Sequence, residues 1–161
     1  MTTPRLFESS AGTTLPVEHL CDMSVELRDP VTIDTPTGLR MTHISNRSKV
    51  TGKITGELLE GGSDYVVMGT DGVSRLDIRQ TIITDDGAPI HFEGRGVARL
   101  PADARERLAR GEVIPFADSY FRLAPRFETS DERYRWLNGT AFVGIGEFSA
   151  GHIDWRIYRI L

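Results

Sequence analysis

Apolar and polar residues alternate in short runs along most of the chain, which is the pattern of β-strands that bury one face. Turn residues separate the runs, most clearly at Asp71-Gly72 and Asp86-Gly87, and Asp-Gly between alternating segments is typical of hairpins. The pattern predicts strands over residues 17–28, 31–34, 40–45, 50–60, 64–68, 73–83, 89–98, 120–123, 140–148 and 152–161.

Helices are predicted at two places only. Residues 101–111 (PADARERLARG) begin with Pro, continue with good helix formers and end with Gly, and residues 129–137 predict a short helical turn. Many short strands with one or two short helices favour a mainly β protein, an antiparallel barrel, over a parallel α/β sheet. The 161-residue length suits one domain, predicted over residues 16–161 behind a polar lead-in at residues 1–15.

Composition and charge narrow the classes of function. The net charge is −4 and no basic stripe is visible, which argues against a nucleic-acid partner. The single cysteine, Cys21, cannot form a disulfide within the chain. No run approaches the roughly 18 apolar residues of a membrane span, and the N-terminus lacks the apolar run of a signal peptide. We therefore expect a cytoplasmic protein with no membrane partner.

Sequence motifs for metals and cofactors are weak. His91 and Glu93 share a strand face but have no convincing third ligand, so no metal is expected. Gly144-Ile145-Gly146 lacks the third glycine of a dinucleotide fingerprint and falls in a predicted strand. The prediction is a protein without a cofactor.

Polar residues of the central hairpins form the strongest candidate site. If both Asp-Gly pairs are two-residue loops, Asp64, Asp77 and Arg79 lie on one face together with Val66 and Phe92. We expect this face to point inward, although a one-residue change of register would reverse every side chain. Burial and like-charge repulsion would then raise the pKa of one carboxyl group, while the guanidinium could hold an enolate, phenolate or carboxylate. The alternative is a structural ion pair that fixes strand register.

Four further residues are candidates for substrate binding together with Phe92. Trp136 and Asn138 could line a cavity mouth, or they could be a core plug and a helix C-cap. Tyr120 and Arg122 alternate on one strand and could face either a pocket or the surface.

Three segments carry a resemblance to a known family: VTGKITGELL (50–59), GGSDYVVMGTDGVSRLDIRQTIITDDGAPI (61–90) and YFRLAPRFETSDERYRWLNGTAFVGIGEF (120–148). Together they resemble the bacterial and fungal family called domain of unknown function 3237. The resemblance implies a small lipocalin-like β-barrel, often oligomeric, in a family without an assigned reaction. Some members look like cyclases or isomerases of polyketide-type secondary metabolism. The characteristic positions of the family correspond here to Asp64, Asp77 and Arg79, and to Trp136, Leu137 and Asn138.

Three functions follow as hypotheses. The leading one is a cofactor-independent enzyme that acts by acid–base chemistry on a small enolisable or aromatic molecule, with an Asp as proton carrier and Arg79 as anion stabiliser. The second is a barrel that binds a small molecule without catalysis. The third is a structural homo-oligomer with a filled barrel, associated through the strand face that carries Ile78 and Ile82.

Overall fold

A computed structural model describes residues 14–161 of the chain. Its strands are β1 Val17–Glu26, β2 Val31–Thr35, β3 Gly38–Ile44, β4 Ser48–Gly52, β5 Gly56–Leu58, β6 Ser63–Met68, β7 Ser74–Thr84, β8 Pro89–Arg99, β9 Tyr120–Glu128, β10 Phe142–Ser149 and β11 His152–Ile160. Its helices are α1 Ala104–Ala109 and two 3-10 helices, Phe116–Asp118 and Arg135–Gly139. The predicted lead-in at residues 1–15 lies almost wholly outside the described residues.

Eight strands close into an antiparallel barrel in the order β7-β8-β9-β10-β11-β1-β4-β5, because β7 pairs with both β8 and β5. This confirms the mainly β, antiparallel barrel predicted from the alternating pattern. The last three residues of β7 pair with β5, and its first half pairs with β6, which continues into β3 and β2. A bridge between Leu27 and Ser45 joins the end of β1 to the end of β3.

Alternate side chains of the barrel strands point inward and form one hydrophobic core. Ile82, Ile90, Phe127 and Phe142 are buried near the turn that joins β7 to β8, where the rings of Phe127 and Phe142 stand edge to face at 4.9 Å. This end of the barrel is filled by side chains. The opposite end, where β7 begins and β8 finishes, holds a cavity.

The predicted register of the central hairpins is wrong by one residue. Gln80 lies opposite Phe92 and Asp77 opposite Arg95, where the two-residue loops required Thr81 and Gly96. Both connections are three-residue loops: the Thr84 N–H donates to the Ala88 carbonyl at 3.0 Å, and the Gly69 N–H donates to the Val73 carbonyl at 3.0 Å. The type I′ turn needs positive φ at two consecutive residues, and no non-glycine residue in the described chain has a positive φ.

Other element boundaries differ in smaller ways. Residues 50–60 form two short strands separated at Gly52 and Gly56, both with positive φ, as the predicted bend requires. Helix α1 is shorter than predicted and is followed by Gly111 with φ 76°. Strand β9 runs five residues further than residues 120–123. Within the described residues, no helix is long and apolar enough to cross a bilayer.

Candidate functional site

A cavity of about 450 Å³ opens at the end of the barrel where β7 begins. This volume lies in the usual range of small-molecule sites. Its walls are mainly apolar and include Met41, Val66, Leu76, Phe121, Phe148 and Ile153, while Ala104 and Leu108 of α1 border its mouth. The polar lining consists of His43, Asp64, Ser74 and Arg105. The cavity therefore combines an apolar wall with few polar groups, as ligand sites do.

Asp64 and His43 are direct neighbours across the β3–β6 pair. Side chains so opposed point to the same face of the sheet with Cβ atoms about 5 Å apart. Both line the cavity, and both also border a smaller cavity of about 30 Å³ deeper in the barrel. The backbone thus places a carboxyl group and an imidazole together at the floor of the larger cavity.

The carboxyl group of Asp64 is held by the backbone of the neighbouring strand. The β6–β7 ladder pairs Asp64 with Ile78 and Val67 with Arg75 but is interrupted between them. In this gap the Asp77 N–H donates a hydrogen bond of 3.0 Å to Oδ1 of Asp64. Burial raises the pKa of Asp64 to about 6, against the lowering effect of that bond and with a further rise from the charge of Asp77.

The imidazole of His43 is neutral near pH 7, because burial lowers its pKa from the ordinary value. Its Nδ1 is buried and makes no hydrogen bond with any described residue. A buried, unsatisfied ring nitrogen costs free energy unless a ligand or water binds to it. The His43 side chain borders the cavity beside Asp64, although Nδ1 itself is not exposed to it.

Gln80 and Ser45 close the barrel wall beneath this pair. Gln80 Nε2 donates to Ser45 Oγ at 2.6 Å, and Ser45 Oγ donates to the Gly62 carbonyl at 3.2 Å. A Cβ on Gly62 would lie 1.7 Å from Gln80 Oε1, so only glycine leaves room for the amide. Phe92, predicted to face inward, does so and lines the smaller cavity.

Asp77 and Arg79 point outward, so the prediction that they share an inner face with Asp64 is wrong. The one-residue shift of register places the even-numbered residues of β7 in the core and these two on the outer surface. There they form an ion pair, with Glu93 Oε2 3.8 Å from Arg79 Nε. All three side chains are about one-third or more exposed, as expected of a surface charge cluster.

Tyr120 and Arg122 also lie outside the barrel. The odd-numbered residues of β9 point inward, which leaves both of these on the outer face. The Arg122 guanidinium stacks over the rings of Phe116 and Tyr120, at 4.2 and 4.8 Å from their centroids. Of the two positions considered for Tyr120 and Arg122, a pocket or the surface, the structure shows the surface.

Trp136 and Asn138 lie on the 3-10 helix Arg135–Gly139, at the filled end of the barrel. Tyr134, just before this helix, ties it to the β7–β8 turn, because its hydroxyl donates to the Asp86 carboxylate. Asn138 exchanges two hydrogen bonds of 2.9 Å with the backbone of Thr129 and has no positive φ, so it fastens a loop but is no left-handed C-cap. Neither side chain lines the cavity.

Sequence reasoning missed His43 and Arg105. His43 belongs to a short alternating run, but its pairing with Asp64 joins strands separated by β4 and β5, and no local pattern reports such a pairing. Arg105 lies in the predicted helix, where it is one of three arginines without a distinguishing spacing.

The chain is similar to known proteins both in sequence and in structure. The profile of the family described as "Protein of unknown function (DUF3237)" matches residues 15–160. The chain is 30% identical to the UPF0311 protein blr7842 of Bradyrhizobium diazoefficiens, over 92% of this chain and 98% of that protein. It is similar to the crystal structure of RPA1785, a conserved protein of unknown function from Rhodopseudomonas palustris, with a TM-score of 0.85, 28% identity, and coverage of 92% and 99% of the two chains.

A more distant structural neighbour comes from a fungus. The crystal structure described as an enzyme from Penicillium herquei matches with a TM-score of 0.68 and 21% identity, over 95% of this chain and 99% of that one. At this identity the likeness shows a shared fold.

Proposed function

Because the chain belongs to the DUF3237 family, whose description assigns no reaction, we propose its function from the geometry of the cavity. The protein is an acid–base enzyme, independent of a cofactor, that acts on a small enolisable or aromatic metabolite. The observation that carries this proposal is Asp64, a buried carboxyl group that faces an apolar cavity directly opposite a neutral imidazole.

Asp64 is the proton carrier. Near neutral pH a carboxyl group with a pKa of about 6 is largely ionised, yet it is a stronger base than an exposed aspartate. The Asp77 N–H fixes Oδ1, and no described residue donates to Oδ2, which is left for the substrate. Oδ2 removes a proton from a carbon next to a carbonyl group, and the electrons of the broken C–H bond move into an enolate.

His43 stabilises the oxygen of that enolate. A neutral imidazole carries one N–H donor, and His43 lines the same cavity as Asp64. The proton on Asp64 then returns to another carbon, or to oxygen, of the same molecule. The sequence is an isomerisation or an aldol-type cyclisation, in which atoms and electrons balance without an oxidant, a reductant or a metal.

The walls of the cavity support an apolar substrate. Phe121, Phe148, Leu76 and Val66 offer carbon surface, so rings or alkyl groups gain from burial and water is excluded from the charge on Asp64. A low local dielectric strengthens the hydrogen bond from His43 to developing negative charge.

The experiment measures hydrogen–deuterium exchange in 2-tetralone, an aromatic ketone with acidic protons beside its carbonyl. NMR in buffered D2O follows the loss of those protons with and without the protein. We expect the wild-type protein to accelerate exchange, and Asp64→Asn to lower the acceleration about 10²-fold because the amide cannot accept the proton. The matched control is Asp34→Asn, an exposed aspartate of β2.

Binding separates two ways in which this experiment can fail. Line broadening of the 2-tetralone resonances reports whether the ketone enters the protein. Binding without accelerated exchange, in both the wild-type protein and Asp64→Asn, would contradict the enzyme and support the non-catalytic binding barrel instead. Acceleration that persists in Asp64→Asn would contradict the role of Asp64.

A further inference from the structure

Helix α1 and the residue that ends it, Arg110, carry three arginines in different surroundings. Arg107 Nη1 lies 2.9 Å from Asp118 Oδ2, and Arg110 Nε lies 2.7 Å from Glu112 Oε1. Arg105 forms no ion pair with any acidic side chain among the described residues, and it is the one that lines the cavity. The charges of Arg107 and Arg110 are thus paired with carboxylates, while Arg105 keeps a permanent positive charge at the mouth of the cavity.

The helix holds Arg105 at this position. Ala104 is buried and Leu108 lines the cavity. Arg105 stands three residues before Leu108, so the two side chains are neighbours on the helix surface and border the same opening. Arg105 is exposed, and among the described residues it is the only permanently charged cation that lines the cavity. The arrangement is polarised: a cation at the mouth, apolar walls, and Asp64 with His43 at the floor.

We propose that Arg105 selects an anionic group of the ligand, so that the substrate class is an aromatic or alicyclic acid whose ring body enters the cavity and whose carboxylate stays at the mouth. Guanidinium groups bind carboxylates and related anions through paired hydrogen bonds, which fixes orientation as well as position. The anion is then kept away from the carboxylate of Asp64, while the ring carbons approach it. This inference rests on the proposed function for the reacting end of the molecule.

The test compares two fluorescent probes that share a ring system. N-phenyl-1-naphthylamine is neutral, and 1-anilinonaphthalene-8-sulfonate adds one permanent negative charge. We expect Arg105→Gln to weaken binding of the sulfonate about tenfold, the effect of one charged hydrogen-bonding contact, and to leave binding of the neutral probe within twofold. Arg110→Gln, which makes the same change of net charge at the C-terminal end of the same helix, should alter neither.

The remaining outcomes are equally decisive. Competition between the two probes should show that they share one cavity, and added salt should weaken the sulfonate alone. Equal effects of Arg105→Gln on both probes, or an equal loss of sulfonate binding in Arg110→Gln, would overturn the assignment of Arg105. If sulfonate binding depends on Arg105 in a protein that binds 2-tetralone without accelerating its exchange, this inference stands and the enzyme is refuted.

Discussion

The backbone N–H of Asp77 donates to Oδ1 of Asp64 at 3.0 Å, across the interruption in the β6–β7 ladder. A buried carboxyl group needs at least one such donor, and here the strand backbone supplies it, with no ion pair to Asp64 from any described residue. The bond lowers the pKa of Asp64 but does not outweigh burial, which keeps that pKa raised to about 6. Asp77 therefore contributes to the site through its backbone, while its side chain belongs to the outer surface.

The first prediction concerns stability and pH. The pKa of Asp64 is about 6 in the folded protein and near 3.8 when exposed, so the folded state binds more protons between these values and ionisation above them destabilises it. The difference corresponds to about 3 kcal/mol at full ionisation. Asp64→Asn should therefore raise the free energy of unfolding by up to about 3 kcal/mol near pH 8, with a gain that shrinks as pH falls toward about 4.

Urea unfolding followed by circular dichroism across this pH range measures the effect. Asn can still accept the Asp77 N–H, so the variant removes the charge and keeps the bond. Asp34→Asn on the exposed strand β2 is the control and should show no such gain. A loss of stability in Asp64→Asn at high pH, or a gain that is the same at every pH, would contradict the conclusion that burial raises the pKa of Asp64.

The second prediction concerns the pH dependence of exchange. If ionised Asp64 is the base, the acceleration of 2-tetralone exchange, corrected for the buffer and hydroxide reactions, should rise tenfold per pH unit below about 6 and level off above it. Burial lowers the pKa of His43 from its ordinary value, which favours the neutral imidazole on the plateau. A rate that falls as pH rises through 6 would instead identify protonated Asp64 as the essential form.

Local patterns were sufficient to predict the strands and the barrel, because strands such as β7 and β8 bury alternate residues and most turns contain Gly or Pro. The inward face of β8, with Ile90 and Phe92, was predicted correctly. The face of β7 was not, because its register depends on whether an Asp-Gly turn contains two residues or three. Gly87 with φ 85° is compatible with a two-residue loop and with a three-residue loop. The two loops differ in the φ of Asp86, which is positive only in the two-residue loop.

The site itself depends on long-range pairing. Asp64 was a candidate because it stands beside a hairpin, but its neighbour His43 lies on β3, which β4 and β5 separate from β6 along the chain. No periodicity reports that contact. The oligomer face predicted through Ile78 and Ile82 is wrong, because both side chains are in the core. The homo-oligomer stays a prediction.

The third prediction concerns the outer charge cluster. Asp77 and Arg79 are each about 40% exposed in their side chains, and ion pairs in water contribute little. Arg79→Ala should lower the free energy of unfolding by less than about 1 kcal/mol, with binding of N-phenyl-1-naphthylamine within twofold of the wild-type protein. A loss of probe binding together with intact folding would show that this cluster reaches the cavity after all. Glu93→Ala, which removes another member of the same cluster, is the matched control.

The fourth prediction concerns the close approach of β8 and β9 beside the cavity. A Cβ added at Gly96 would lie 2.2 Å from the backbone carbonyl oxygen of Arg122, and backbone cannot rotate away as a side chain can. Gly96→Ala should therefore push the two strands apart and destabilise the protein by about 3 kcal/mol, the upper end of ordinary overpacking. Gly139→Ala is the control, because a Cβ there meets nothing within 4 Å and the position has no positive φ. Urea midpoints at constant m-value measure both effects. Equal midpoints for the two variants would mean that β8 and β9 are further apart than the structure shows.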